Sequence, residues 1–211
     1  MNEPAPRSAR GQRTRAKLLA AGKVVFERDG FLAARITDIA SEAEVSHGAF
    51  YHYFDSKESL FREIAEEVEV RLVAIDDISD APRDPVERIR AANRSYLSAY
   101  RKEARIMRVI EEVSRYDDEV RAVRSRRDDH LAARLEASIA RLQAEGVADP
   151  AIDKRYAAAI LGGMVAKFAE MMFVAGGRYT FEAGVEQLTL IWANALGLSV
   201  PKARAKPARS A

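Results

Sequence analysis

Residues 35–58 read RITDIASEAEVSHGAFYHYFDSKE, and this stretch decides the fold of the region around it. Ile36 and Ile39 recur at helical spacing, so they predict a short helix with one buried face. Ser46 then offers a side-chain oxygen to the free backbone N–H groups of a new helix, which predicts an N-cap at that position. Two short helices separated by a tight turn are typical of a helix-turn-helix.

The second helix of this pair is predicted to present small, aromatic and basic residues to the outside. Phe50 and Phe54 stand four residues apart, so both are expected to point inward. The residues left on the outer face are His47, Gly48, Ala49, Tyr51 and His52. In a helix-turn-helix the second helix enters the DNA major groove with its N-terminal residues, so this face is the candidate for contact with bases.

The wider stretch VSHGAFYHYFDSKESLF, preceded by TDIA, resembles the DNA-binding domain of the TetR family of bacterial transcriptional regulators. The shared features are a small residue after the cap, an F-Y pair, a second aromatic residue three positions on, and S-K-E at the start of the next helix. They are represented here by Gly48, Phe50 with Tyr51, Phe54, and residues 56–58. The resemblance covers residues 14–73 and implies a helical repressor that is released from DNA by a small molecule.

The helix pattern and the resemblance together define a set of residues expected to bind double-stranded operator DNA. Gly48 lacks bulk and lets the helix approach the bases, while Tyr51 and the histidines can donate to bases or phosphates. Lys57 is expected at a helix start, where backbone amides already favour an anion. The set is Arg35, Thr37, Ser46, His47, Gly48, Ala49, Tyr51, His52 and Lys57.

Two positions depart from the family pattern. Glu44 stands in the turn where members usually have glycine, and a left-handed backbone there costs a residue with a Cβ about 1 kcal/mol, so the turn is either slightly strained or shaped differently. Arg35 stands where many members have a Ser or Thr cap, so a cap is lost and a cation is gained. Neither departure removes a base-reading position.

Composition excludes several other classes of protein. The chain has 211 residues, 48% of them hydrophobic, and it has no cysteine, which excludes disulfides and thiolate metal sites. It carries none of the common nucleophile, zinc-protease or phosphate-loop motifs, and His130 has no second ligand at helical spacing. We therefore expect no catalytic residue, no metal and no cofactor, and a helical enzyme is the least favoured alternative.

Charge is distributed unevenly, although 34 basic and 32 acidic residues give a net charge of only +2. The segment 7–17 contains basic residues and no acidic residue. This charge is compatible with contact to DNA phosphates and equally with a solvated tail. Residues 1–13 and 199–211 are expected to be basic, disordered tails. No signal peptide is recognised, and the most apolar region, 157–175, is interrupted by charges, so we expect a cytoplasmic protein without a membrane span.

Helical periodicity and Pro/Gly punctuation predict an all-α fold. We expect a DNA-binding domain over 14–56 and a ligand-binding and dimerisation domain over 57–198, joined by a linking helix that begins at Lys57. The helices are predicted at 14–28, at 57–73, at 86–102, at 104–115, at 118–145, at 151–175 and at 181–196, in addition to the two of the motif.

The last two helices are apolar over a wide arc, which predicts that a second subunit covers one side. Leu188 and Trp192 are the candidates for this homodimer interface. A mainly apolar effector is implied by the resemblance, with an anionic group near Arg105 or Arg108 as a weaker alternative. Its candidate lining is Tyr96, Tyr100, Met107, Met164, Phe168 and Met172. An architectural DNA-binding protein would have no such effector.

Overall fold

Eight helices and no strand occur in the residues that the computed structural model describes, which are 8–73 and 83–199. The helices are α1 (Ala9–Ala33), α2 (Ile36–Glu42), α3 (His47–Phe50), α4 (Lys57–Val73), α5 (Pro85–Val113), α6 (Asp118–Ala144), α7 (Lys154–Phe173) and α8 (Phe181–Ala195). This confirms the all-α prediction. The expected tails outside 8–199 and most of the expected boundary loop near residues 76–84 lie outside the described residues.

Helix α1 is longer than predicted at both ends. Ser8 caps it by accepting a hydrogen bond from the Gly11 amide at 3.1 Å, so residues 9–13 are helical and do not belong to a tail. The expected stop at Gly30 is a kink, because Gly30 adopts φ 78° and ψ 169° and a last turn follows it. Gly22 lets α1 approach α4, since a Cβ there would lie 2.6 Å from the Cδ2 atom of Leu60.

Helix α4 has the bounds that the sequence predicts, and it joins the two halves of the chain. Ser56 caps it: the amide of Ser59 donates to the Ser56 hydroxyl at 3.1 Å, and the Ser56 amide donates back to Ser59 at 3.2 Å. Leu60, Phe61 and Ile64 are buried against α1, whereas the later turns pack on α5 and α6. A shift of α4 relative to α5 and α6 therefore also moves the end of α4 that packs on α1.

Helix α5 is one continuous helix, so the prediction of two helices with a break near residue 103 is wrong. After Pro85 in its first turn it contains neither proline nor glycine, and its strongly amphipathic pattern keeps one face in the core. Asp84 caps it through the Glu87 amide at 2.9 Å. Helices α5 to α8 form the second half, in which α6 packs on α7 and α5 packs on α8.

Glu103 of α5 connects the two halves electrostatically. One carboxylate oxygen accepts from the Lys23 ammonium of α1 at 2.6 Å, and the other accepts from Arg71 of α4 at 3.1 Å. Burial opposes ionisation of this carboxyl group, but the hydrogen bonds and charges of Lys23 and Arg71 outweigh burial, so its pKa is lowered. The pairing fixes α1 and α4 against the second half.

Helix α7 differs from expectation in one respect. By length and composition alone it is apolar enough to cross a membrane, although the sequence predicted no such stretch. Only 28% of its apolar window is buried inside the protein. The helix nevertheless packs on α5 and α6 as part of the bundle. Its other side leaves apolar side chains exposed on the surface of the protein.

Candidate nucleic-acid interface and effector cavity

The turn between α2 and α3 has the left-handed conformation, so the alternative of a differently shaped turn does not apply. Glu44 adopts φ 56° and is the one non-glycine residue with a positive φ in the described ranges. Its carboxylate lies 3.5 Å from the ammonium of Lys17 on α1. The Ser46 hydroxyl accepts from the Ala49 amide at 3.2 Å, which confirms the predicted N-cap of α3.

The outer face of α3 is open to solvent. Phe50 and Phe54 are buried, while His47, Gly48, Tyr51 and His52 are exposed and Ala49 is half-buried. The His47 and Tyr51 rings stand edge to face with centroids 5.3 Å apart. Tyr51 is 48% exposed, and its hydroxyl makes no hydrogen bond to another described residue.

The start of α1 lies beside α3, which sequence reasoning indicated only as a basic segment. Ser8, Arg10 and Thr14 share a surface cleft with Ser46 and His52. Arg15 is not available there, because it pairs with Glu63 and stacks over the Phe54 ring with its guanidinium 5.1 Å from the centroid. The cleft thus places the start of α1 next to the outer face of α3, together with Arg10, which pairs with no acidic group among the described residues.

The remaining candidates of this set occupy different surroundings. Arg35 and Thr37 are exposed at the start of α2, and Arg35 makes no side-chain cap. The Lys57 ammonium instead donates to the backbone oxygens of Phe31 at 2.9 Å and Ala34 at 3.1 Å. Lys57 therefore closes the end of α1, and its contact with DNA stays a prediction.

A cavity of about 710 Å³ lies in the second half, between α5, α6, α7 and α8. Tyr96 and Tyr100 line it as predicted, and burial raises the pKa of Tyr96 to about 12, so that its hydroxyl stays protonated. Apolar side chains form most of the wall. They include Ile89, Leu131, Leu135, Ile139, Leu142, Val165, Ala166 and Trp192.

The four other predicted lining residues do not reach this cavity. Met107 is in the core with 1% of its surface exposed. Met164, Phe168 and Met172 recur every four residues on a different face of α7, and the last two contact α8 at Gly184, where a Cβ would lie 2.9 Å from the Phe168 ring. Their apolar character reflects packing between helices, which a sequence pattern does not distinguish from a binding wall.

The two residues predicted for the dimer interface are also placed differently. Leu188 and Trp192 are only 3% and 7% exposed, because they face α5 and the cavity inside the same chain. The prediction of these two side chains as interface residues is therefore wrong. Exposed apolar residues of α7 and α8 lie on other faces, and they are Tyr156, Ile160, Met171 and Ile191.

A buried ion pair connects the cavity wall to α4. The Arg127 guanidinium lines the cavity and donates to Glu69 at 2.6 Å and to Asp128 at 2.7 Å. Both Arg127 and Glu69 are almost fully buried. Burial raises the pKa of Glu69 even though the charge of Arg127 opposes this shift. In the described ranges no cluster of His, Asp or Glu has the arrangement of a metal site.

Comparison with known proteins agrees with this division into two halves. Residues 18–64 match the model of bacterial regulatory proteins of the tetR family, and residues 82–191 match the Tetracyclin repressor-like C-terminal domain. The regulator YfiR of Bacillus subtilis is 43% identical over 24% of this chain and 25% of its own length. The repressor NicS of Pseudomonas putida is 37% identical over 29% of each chain. The chain thus matches less than a third of the length of these two relatives.

Solved structures extend the similarity over nearly the whole fold. A transcriptional regulator from Pseudomonas aeruginosa aligns over 90% of this chain and 92% of its own, with TM-score 0.75 and 24% identity. The fatty acid degradation regulator FadR from Bacillus halodurans aligns over 88% and 97%, with TM-score 0.74 and 17% identity. Two family models that together cover both halves, one of them more than half of the chain, decide the assignment. This chain belongs to the TetR family, whose members are DNA-binding transcription regulators and not enzymes.

Proposed function

We propose that this protein is a homodimeric repressor that acts in the cytoplasm, binds operator DNA through α3, and releases it when a small, mainly apolar molecule occupies the cavity. The observation that carries the proposal is the exposed His47, Tyr51 and His52 face on a capped helix. This face is joined through α4 to a half of the chain that contains a cavity of about 710 Å³. Ligand cavities of proteins have volumes of this order. The relative NicS is named a repressor, which supports the same sense of regulation here.

Recognition of DNA is supported by the chemistry of the α3 face. Histidine and tyrosine donate hydrogen bonds to base edges or phosphates, and Gly48 allows close approach. Arg10, beside α3, adds a cation for the phosphate backbone. A dimer would present two such faces, which must match half-sites one or more helical turns apart, at about 34–36 Å per turn.

Release by a ligand is supported by the Glu69–Arg127 pair. Arg127 belongs to the cavity wall, and Glu69 belongs to the helix that carries the DNA-binding half. A molecule that shifts this wall displaces α4 and changes the separation of the two α3 helices. Such a coupling is reciprocal and typically amounts to about 1–3 kcal/mol.

Dimerisation is supported by the exposed face of α7 and α8. Tyr156, Ile160 and Met171 recur at helical spacing on α7 and are exposed, and Ile191 adds an exposed apolar side chain on α8. Contiguous apolar surface on a soluble protein marks an interaction site. A second copy that covers this face also accounts for the low burial of α7, without recourse to a membrane.

The first experiment is selection of a duplex from random-sequence DNA by the purified full-length protein, followed by affinity measurements over a salt series. Tyr51→Ala and His47→Ala should each weaken binding by about 1–3 kcal/mol if they contact bases. Matched controls are Tyr116→Ala, an equally exposed tyrosine (52%) in the second half, and His130→Ala. DNA recognition by α3 would be contradicted if the control variants weakened binding as much as Tyr51→Ala and His47→Ala do, or if no DNA sequence were selected.

A further inference from the structure

The effector cavity extends along α6. Its lining on this helix runs from Arg124 to Leu142, which at about 1.5 Å per residue corresponds to about 27 Å of helix. A lining of this length can contact an extended chain from end to end.

The two ends of the cavity differ in charge. At the end where α5 begins and α6 finishes, Arg88 and Arg141 line the cavity, and neither has an acidic partner in the part of the chain that the structure describes. At the opposite end, Arg124 pairs with Glu111 and Lys167 pairs with Glu170. Arg127 is likewise saturated by Glu69 and Asp128. Arg134, between the two ends, also lacks an acidic partner among the described residues and donates to the Val73 carbonyl oxygen, so the positive charge without an acidic partner lies along the part of the cavity from Arg134 to Arg88 and Arg141.

Between these ends most of the wall is apolar, although Asp129 and Arg134 of α6 also line it. Ile89, Leu135 and Ile139 lie next along the lining from Arg88 and Arg141, and Tyr96 and Tyr100 close the far part. Gly162 keeps the passage open, because a Cβ there would already lie 3.0 Å from the Leu135 Cδ1 atom. Along the cavity, the lining therefore changes from mainly cationic to aliphatic and then to aromatic.

We propose that the effector is a long-chain monocarboxylic acid, with its carboxylate between Arg88 and Arg141 and its chain along α6 toward Tyr96 and Tyr100. This inference rests on the proposed function, for which it names the ligand. Two arginines supply charge-assisted hydrogen bonds to a carboxylate, and the aliphatic wall removes the chain from water. The saturated charges at the far end leave no group there for a second anion, which favours a single acidic head group.

Trp192 allows this to be tested without DNA. It is the single tryptophan of the chain and it lines the cavity, so its fluorescence reports occupancy directly. Full-length protein is titrated with dodecanoate and with dodecan-1-ol, both below the concentrations at which they form micelles. Dodecanoate should bind at least about tenfold more tightly than the alcohol, and shorter acids should lose about fourfold per methylene removed.

Variants locate the head group. Arg88→Gln with Arg141→Gln should weaken dodecanoate by about 10- to 100-fold and leave dodecan-1-ol unchanged. The matched control is Arg105→Gln with Arg108→Gln, which removes two exposed α5 arginines outside the cavity and should change neither ligand. Equal binding of acid and alcohol, no fluorescence change with either, or a double variant with wild-type dodecanoate affinity would each overturn the proposal.

The selected operator duplex separates this inference from the function on which it rests. Dodecanoate should lower operator affinity by about 5- to 150-fold. If dodecanoate binds with the expected dependence on Arg88 and Arg141 but the duplex stays bound, the ligand assignment stands and the release mechanism fails. If another compound releases the duplex and dodecanoate does not bind, release stands and the acid assignment fails.

Discussion

At the scale of single residues, Lys57 shows how one side chain serves folding at a position where a DNA contact was expected. Its ammonium group satisfies carbonyl oxygens at the end of α1 and lies 4.7 Å from the centroid of the Phe31 ring. The last carbonyls of a helix have no intrahelical partner, and a cation is favoured beside them. Lys57 thus joins the end of α1 to the start of α4.

We expect Lys57→Met to lower the free energy of unfolding by about 1–3 kcal/mol, because hydrogen bonds from a charged donor to buried carbonyls are lost while the aliphatic stem remains. Urea unfolding measures this. Lys17→Met is the control, since Lys17 is exposed and its only described partner is Glu44. If Lys57→Met leaves stability unchanged but weakens DNA binding, the role of Lys57 is direct contact with phosphate.

Residues whose role is local were predictable, and residues whose role depends on distant partners were not. The Ser46 cap follows from neighbours within a few positions, and the structure has it. For Glu44 two turn geometries were open, and the structure has the left-handed one. The partners of Lys57 lie 23 to 26 positions away, and Met107 is enclosed by other helices. No periodicity in the sequence carries that information.

At the scale of helices, α4 and α6 meet through several ion pairs, two of which lie in contrasting surroundings. Glu69 and Arg127 are buried, whereas Glu66 and Arg126, 3.0 Å apart on the same two helices, are exposed. A buried pair that loses one partner leaves an uncompensated charge, while an exposed pair contributes little. The buried pair should therefore dominate the attachment of α4.

Arg127→Met should cost about 3–5 kcal/mol of stability, and adding Glu69→Met should recover most of it because both charges are then removed. Since burial raises the folded pKa of Glu69 above its ordinary value of 4.5, its ionised form costs stability at higher pH, and this stability is recovered as the pH falls through the raised pKa to below 4.5. The deficit of Arg127→Met should accordingly shrink in acid.

Urea unfolding at several pH values measures both effects. The control is Arg126→Met with and without Glu66→Met, for which each change should be about 0–1 kcal/mol. Similar costs for the buried and the exposed pair would show that Glu69 and Arg127 do not hold α4, and the proposed route from cavity to DNA would lose its support.

The positions of most helices could be predicted from the sequence, but the neighbours that each helix face contacts could not. The bounds of α4, α6 and α8 agree with prediction to within one residue at each end, because caps and apolar periodicity are local. The break expected inside α5 was absent, since no proline or glycine enforces it. For α7, small and apolar residues occur all round, so only packing shows that Gly162 and Phe168 face different neighbours.

At the scale of the whole molecule, the exposed α7 face predicts how two copies associate. Ile160→Glu should dissociate the dimer at micromolar concentration, because a charge in an apolar interface is left without a partner. Val70→Glu is the control, as Val70 on α4 is 66% exposed, the same as Ile160. Sedimentation measures the outcome. A dimer that survives Ile160→Glu, or a monomeric wild type, would exclude this face as the interface.

Helix α7 is a partition one helix thick, with the cavity on the side of Gly162 and Ala166 and open surface on the side of Ile160 and Met171. If the second copy binds that open side, each molecule in the cavity acts on the monomer–dimer equilibrium as well as on DNA. Mass action then makes the apparent ligand affinity depend on total protein concentration. A cell with few copies and a cell with many would respond to different doses of the same compound.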